Sequence, residues 1–338
     1  MGVKVDRNTL LPMTSLSLSD FKKYQTNPKQ TSDKPMYRYQ AYGLGIHSKL
    51  ALPELVADSQ AAADVVVEFA QLKDSPLDTR DTAHCFKSTE DGMYVFWESV
   101  GTFFIQQGRT IAIDPDPEAD ADRLRLFILG AAIGVILHQR GYFVLHASAV
   151  EINGKAAVFI GHKGWGKSTM AATLHHRGHR LIGDDVVALD LNDSTQPVVL
   201  PAFPQLKLWP DAVESLGDNP ENLPRLVPHL EKRDRRVREG FIDRTVPLGH
   251  IFLLGKGETV EIQSLEPQRI VTYLLQNSYI TRFGAELLQA GEAAHFLRLV
   301  RLAKSISIER LLRPSQLSLL PAIAQLVEER VSSEAVKV

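Results

Sequence analysis

An α/β fold, with a mixed β-sheet and surrounding helices behind a smaller strand-rich lead-in of α+β character, is predicted for this 338-residue chain. Three observations predict it. Short segments rich in β-branched and aromatic residues fill the chain up to about residue 115. Two apolar runs then meet at Asn153-Gly154, the dipeptide that most favours a tight hairpin. The second run passes directly through a glycine-rich string into a helix-compatible stretch, the strand–loop–helix order of an α/β unit. At roughly 150 residues per domain the length suggests about two domains. The divisions expected are a flexible segment at 1–36, a strand-rich domain at 37–120 and a larger domain at 121–330.

Residues 1–36 are polar with scattered Pro, Ser and Lys, a composition too poor in apolar groups to order itself. Strands are expected at Ala63–Phe69, Gly92–Trp97 and Gly101–Ile105. Asp114-Pro-Asp-Pro-Glu118 reads as a loop with helix-starting acids, and a helix follows to about Gln139. Tyr142–Ile152 and Lys155–Ile160 form the hairpin, and a short helix starts near Gly166 and is closed by Gly178. Arg180–Gly183 is a strand ending at Asp184-Asp185, with Val186–Leu191 continuing the sheet. Further strands fall near Ile251–Leu254 and Thr259–Ser264. Helices fall near Pro267–Tyr279, Ala285–Lys304 and Pro314–Arg330, with Ile270, Leu274, Leu275, Leu297, Val300 and Leu302 as core stripes.

Composition narrows the function classes. Hydrophobic residues at 44% and charged residues at 23% are those of a globular chain, which excludes collagen-like and wholly disordered proteins. Lys plus Arg number 38 and Asp plus Glu 40, so the net charge of -2 supplies no field to hold nucleic acid or an anionic membrane. The single cysteine, Cys85, excludes an internal disulfide and a cysteine-cluster metal site, and fits a cytoplasmic location. No apolar stretch follows Lys4, Asp6 and Arg7, so no secretory leader is expected, and Asp6 breaks the myristoylation pattern that Gly2 begins. The longest apolar run, Leu126–Leu137, has 12 residues where about 20 are needed to cross a bilayer. It reads as a buried helix.

Gly161-His162-Lys163-Gly164-Trp165-Gly166-Lys167-Ser168 matches G-x-x-x-x-G-K-[ST] in full, and Thr169 follows. Glycines in such a loop let backbone N–H groups turn inward around a phosphate chain. The next helix offers its positive end, Lys167 a point charge and Ser168 a hydroxyl for magnesium. A glycine-rich strand-to-helix turn without a ligand is the other reading. The D-x-x-G and N-K-x-D strings of G-proteins occur nowhere in the chain, which leaves a kinase, another ATPase or a passive nucleotide binder.

Asp184 and Asp185 end an apolar strand sixteen residues after Ser168. A strand one helix beyond the loop brings its carboxyl end beside the bound phosphates. Phosphoryl transfer to a hydroxyl needs one carboxylate for the hydroxyl proton and another for magnesium, and adjacent aspartates point in different directions. The alternative is a strand-end turn in which Asp caps backbone N–H groups. Taking Asn153 and Gly154 as the hairpin loop, paired positions sum to 153 + 154 = 307, which sets His146 opposite Gly161. A histidine there could hydrogen-bond an aspartate. A core histidine satisfied by backbone is the competing account.

With those residues in view, the stretch His146–Leu189 resembles the catalytic core of the HPr kinase/phosphorylase family, and more distantly that of ATP-dependent phosphoenolpyruvate carboxykinase. The shared features are a strand histidine fifteen residues before the first loop glycine, the hairpin into the loop, the loop itself and the following apolar-Asp-Asp strand. The resemblance implies a P-loop kinase core with a mixed sheet and ATP- and magnesium-dependent phosphorylation of a serine on a peptide or small protein. It implies Lys167 on the phosphates, Ser168 on magnesium, Asp184 as base, Asp185 near the metal and His146 as support. From the residues alone the two aspartates are interchangeable. Lys163 and Thr169 stand where the family usually has Ser or Thr and Glu, and the glycine-rich signature after the aspartates is missing. Pro201–Pro210, which contains Lys207 and Trp209, resembles a segment of HPr-kinase-like relatives instead. The chemistry is therefore expected to transfer and the substrate is not.

Other features carry two readings each. Five basic residues in Lys232–Arg238 suit a mobile phosphate-binding arm or a solvated loop. His175, His176 and His179 have metal-like spacing but also suit cations at a helix C-terminus. Trp165 could stack on a base or pack. Three functions stay open: the serine kinase, for which a homo-oligomer is one expected state; a nucleotide-dependent binding or assembly module; and a small-metabolite kinase.

Overall fold

The computed structural model describes residues 35–192, 196–283 and 292–333. The expected N-terminal segment, through residue 34, and residues 285–291 of the expected helix lie outside the described residues.

The first sheet has eight strands: β1 (Tyr37–Ala41), β2 (Leu44–Ser48), β3 (Val56–Ala57), β4 (Val65–Phe69), β5 (His84–Ser88), β6 (Met93–Trp97), β7 (Gly101–Gln106) and β8 (Thr110–Pro115). Their order is β3-β1-β2-β4-β8-β7-β6-β5, with β4 parallel to both neighbours and the other pairs antiparallel. Along β6 and β7 every second residue is buried: Met93, Val95 and Trp97, then Phe103 and Ile105. On the outer face Tyr94 and Phe104 stack across the pair at 4.3 Å.

Against this sheet lies one helical run, made of α1 (Ala121–Phe127), a π-helical turn (Ile128–Ala132) and α2 (Ile133–Gln139). Asp120 caps it by accepting the Arg123 N–H at 2.8 Å. Ile128 to Leu137 are all buried, as expected for the apolar run. The helix belongs to the same core cluster as the first sheet, although the sequence assigns it to the second domain.

A second sheet of nine strands contains β9 (Phe143–Leu145), β10 (Ser148–Ile152), β11 (Lys155–Ile160), β12 (Arg180–Asp184), β13 (Val187–Asp190) and β14 (Val198–Val199). Helix α3 (Lys167–His176) follows β11. A two-stranded ribbon, β15 (Gln205–Leu208) with β16 (Arg233–Arg236), lies beside the sheet. The sheet is completed by β17 (Val246–Lys256), β18 (Glu261–Ser264) and β19 (Ser307–Arg313). The helices α4 (Pro210–Glu214), α5 (Pro267–Asn277), α6 (Glu292–Ser305) and α7 (Leu320–Ser333) fill the remaining positions. None of the described helices is long and apolar enough to cross a membrane.

Two halves of this sheet share strands. β17 pairs with β14 at Val246 and Pro247, then with β11 and β19 further along. The expected strand Tyr142–Ile152 is broken at His146-Ala147, so that β9 pairs β13 while β10 pairs β11 and β12. The expected continuation after Asp185 breaks likewise, with β12 in one half and β13 in the other. Two chain crossings thus lie next to each other, and they carry His146 and Asp185. β11, flanked on both edges, is buried from Ala156 to Ile160.

The hairpin turn forms as expected, with Asn153 and Gly154 at φ 49° and 80°, and Ser148 pairs Phe159 in the expected register. β19, between two helices, was not expected. Its Ile308 and Leu311 are buried while Arg310 and Arg313 interrupt the apolar pattern. Of the expected core stripes, Leu274 and Leu302 are buried, but Leu297 is exposed beside Phe296 and Leu299 takes the inward position.

Candidate active site

The glycine-rich string forms a turn between β11 and α3. Gly161, Gly164 and Gly166 sit at φ 145°, 80° and 77°, values that a side chain disfavours. A Cβ on Gly166 would also fall 2.4 Å from the Arg313 guanidinium, which donates to the Trp165 carbonyl at 2.7 Å. Burial lowers the Arg313 pKa. Arg313, at the end of the unexpected strand, thereby braces the loop from behind. The Lys167 ammonium is buried and donates to the Gly161 carbonyl at 2.8 Å and the His162 carbonyl at 3.3 Å. His162, Lys163 and Gly164 are exposed; Trp165, Ser168 and Thr169 are half-buried. Trp165 packs edge-on against His162, 4.5 Å between ring centres, and against the core beneath α3.

His146 lies in the break between β9 and β10, where the ladder has ended and the direct pairing expected with Gly161 is not made. One residue joins the two instead. The Asn277 carbonyl accepts the His146 N–H at 2.9 Å, and its side-chain oxygen accepts the Gly161 N–H at 2.8 Å. Asn277 was not singled out in the sequence.

The two aspartates have different surroundings. Asp184 ends β12 and is buried; Oδ1 accepts the Ser148 hydroxyl at 2.6 Å and Oδ2 the Lys207 N–H at 2.9 Å. Asp185 is half-buried at φ 73°, in a three-residue turn closed by the Val186 N–H on the Asp184 carbonyl at 3.0 Å. That form is rare and strained for a residue with a side chain, and such strain concentrates at functional positions. Asp185 Oδ1 lies 3.1 Å from His146 Nδ1, and Oδ2 accepts from the Lys207 ammonium at 2.8 Å. The sequence expectation set Asp184 at the proton and Asp185 at the metal; the accessible carboxylate is Asp185, and Asp184 ties three strands together. Lys207 touches both aspartates, through its N–H and its ammonium, and no motif marked it.

Other groups approach from three directions. Burial lowers the Lys232 pKa, Asp185 and Asp184 oppose that shift, and Lys207 and Lys163 add to it. From the first sheet, Tyr42 at the β1–β2 turn donates its hydroxyl to the Val186 carbonyl at 3.1 Å. Its pKa is raised well above the ordinary value, by burial first and then by Asp185, Tyr279 and Asp184. Gly130 in the π-helical turn also faces this cluster, since a Cβ there would meet the Tyr279 hydroxyl at 3.7 Å and Asp185 Oδ2 at 4.0 Å. Single π-turns often occur at functional sites.

Within the basic run, four residues form a strand in place of a loop. Arg233–Arg236 is strand β16; Arg233 is buried against the Pro220 and Glu231 carbonyls and Glu221, Arg235 pairs Asp218, and Arg236 pairs Asp234 and Glu54. The histidines join α3 to α7: His175 Nδ1 meets the His179 carbonyl, and Glu328 receives both His179 and Arg177. Among the described residues no group of three His, Cys, Asp or Glu could hold a metal.

Comparison with known proteins gives one short match in sequence and one in structure. The chain is 43% identical over 49 residues to an HPr kinase/phosphorylase of Prosthecochloris aestuarii, a match spanning 14% of each chain. Over that stretch the chain is HPr-kinase-like. No family model matches it. The HPr(Ser) kinase/phosphatase of Coxiella burnetii aligns with 56% of this chain and 98% of its own, at 16% identity and a TM-score of 0.31.

Proposed function

We propose that the HPr-kinase-like chain is an ATP- and magnesium-dependent phosphotransferase that phosphorylates a serine hydroxyl on a peptide or small protein. The observation that carries this reading is the His146–Asp185–Lys207 cluster tied to the phosphate loop through Asn277. In this reading the loop amides and Lys167 receive the phosphates, Lys167 exchanging its loop carbonyls for phosphate oxygens. Ser168, with phosphate oxygens and water, would hold magnesium, an all-oxygen set of the kind that ion prefers. When bound, magnesium neutralises charge on the phosphates.

Asp185 accepts the proton of the serine hydroxyl. Its Oδ2 already takes the Lys207 ammonium, its Oδ1 lies 3.1 Å from His146 Nδ1, which also meets the Asp185 carbonyl at 3.0 Å, and a carboxylate oxygen has a second lone pair to offer. The serine oxygen forms a bond to the γ-phosphorus as the bond from that phosphorus to ADP breaks, and ADP departs with the electron pair. His146 and Lys207 hold the carboxylate in position, and Asp184 holds the strand that presents it. The test is transfer of label from γ-labelled ATP, with magnesium, to serine-containing peptides. Label should appear on serine and be lost in Lys167→Ala. Nucleotide binding without label on any acceptor would overturn the reading in favour of a binding module.

A further inference from the structure

Within the basic run Lys232 stands apart. Arg233, Arg235 and Arg236 each have a carboxylate partner, whereas the half-buried Lys232 ammonium has none among the described residues. It rests over the Trp209 ring instead, 5.7 Å from the ring centre. The β15–β16 register explains the meeting. Lys207 faces Asp234 and Leu208 faces Arg233, so the next step outward sets Trp209 opposite Lys232. Trp209 is still extended, and alternation puts Lys207, Trp209 and Lys232 on one face of the ribbon, the face whose Lys207 holds Asp185. Both outer residues are pinned by their backbone. The Leu226 N–H donates to the Lys232 carbonyl at 3.0 Å, and the Val213 N–H to the Trp209 carbonyl at 3.1 Å.

The Lys232 ammonium feels Asp185 and Asp184 and also Lys207 and Lys163. Such influence falls with distance, so the group lies near both the aspartates and the phosphate loop. Lys163, Lys207 and Lys232 there set three ammonium groups against two carboxylates. The carboxylates are already engaged: Asp185 takes the Lys207 ammonium, and Asp184 takes the Ser148 hydroxyl and the Lys207 N–H. Burial disfavours a charge that has no counter-ion, and an arriving anion relieves that state.

We propose that Lys232 recognises the terminal phosphate of a nucleotide bound in the loop, and that Trp209 is the platform that holds its side chain ready. The proposal rests on the nucleotide-binding part of the phosphotransfer reading, in which the γ-phosphorus lies between the loop and Asp185. It makes Lys232 the residue that tells ATP from ADP. When the γ-phosphate arrives, the ammonium exchanges its ring contact for charge-assisted hydrogen bonds to phosphate oxygens. A compact charge on a flexible four-carbon stem suits that exchange.

The test is calorimetry in the presence of magnesium, titrating ADP and, separately, a non-hydrolysable ATP analogue into wild type, Lys232→Met, Lys232→Arg and Arg238→Met. Methionine keeps an unbranched stem without the charge. Arg238, exposed in the same basic run, controls for a general loss of positive charge. Lys232→Met should weaken the analogue by about tenfold or more and leave ADP within about twofold of wild type. Lys232→Arg should recover part of the analogue's affinity, and Arg238→Met should change neither nucleotide. Retained ADP affinity reports that each variant is folded. Equal losses for both nucleotides, no loss for either, or the same analogue loss in Arg238→Met overturns the proposal. Failure of the kinase reading looks different: the analogue-specific loss appears, yet wild type passes no label from ATP to any serine acceptor.

Discussion

The two sheets are built on opposite plans. In the first, strands such as β6 and β7 alternate strictly between buried and half-exposed residues, and each pairing keeps one register. In the second, strands such as β11 are buried on both faces and three chain paths serve two half-sheets, two of them by breaking. A regular ladder consumes its backbone groups and directs its side chains to fixed faces, which gives stability but few convergent polar groups. A broken strand frees a residue from that geometry. His146 and Asp185 occupy the two breaks, and their side chains meet there. In the proposed reading the chemistry belongs to the interruptions of the second sheet, and the first sheet approaches them with Tyr42, whose hydroxyl donates to the Val186 carbonyl.

The largest effect that tests this contrast comes from the adjacent aspartates, one in a ladder and one in a break. Asp185→Asn should lower transfer by about 10² to 10⁴-fold, the range for loss of a positioned base, with little change in melting temperature. Asp184→Asn should show the reverse emphasis. It sets an amide against either the Ser148 hydroxyl or the Lys207 N–H and should cost about 1–3 kcal/mol of stability. Thr102→Ala, on the half-exposed face of β7, should alter neither. Denaturant unfolding and label transfer on the same preparations separate the outcomes. Equal kinetic losses with equal stability losses at both aspartates would remove the distinction between ladder and break.

A smaller effect is expected at Asn277, which joins one break to the phosphate loop. Asn277→Ala keeps its carbonyl for His146 but releases the Gly161 N–H. A loop displaced by a fraction of an ångström should reduce transfer by roughly 10- to 100-fold, with most of the change in kcat. If the loss appears only as weaker nucleotide binding, Asn277 shapes the loop and does not connect it to His146.

Legibility in the sequence follows the same division. The loop, the aspartate pair and the hairpin register were readable because each depends on neighbours within a few residues: glycines at positive φ, acids at a strand end, Asn-Gly in a turn. The register arithmetic held as far as Ser148 and then failed at His146, because no local pattern announces a strand that leaves one half-sheet for the other. Lys207, Asn277 and Tyr42 reach the site across long separations in sequence, and their types fit many roles. Pro201–Pro210 offered one clue, through its resemblance to HPr-kinase-like relatives, but not that Lys207 would be the residue to meet both carboxylates. β19 was hidden by its arginines, although Arg313 is what braces the loop.

The smallest effect concerns the helix that leads away from the loop. The Arg177 guanidinium, helped by His179, holds the Glu328 carboxyl below its ordinary value against the opposing effect of burial, and so clamps the end of α3 to α7. A carboxyl whose folded pKa is depressed stabilises the fold above its unfolded pKa and loses that contribution as pH falls through the folded value. Glu328→Gln should therefore lower stability at neutral pH by about 0.5 kcal/mol, small because the pair faces solvent on one side. The deficit should shrink below about pH 4.5, the ordinary glutamate range, and vanish once Glu328 is protonated in the folded wild type. Melting temperatures of the two proteins from pH 3 to 8 measure it. A deficit that persists at acidic pH would mean that Glu328 holds α3 through packing and neutral hydrogen bonds, leaving the far end of the loop's helix independent of the charge on this clamp.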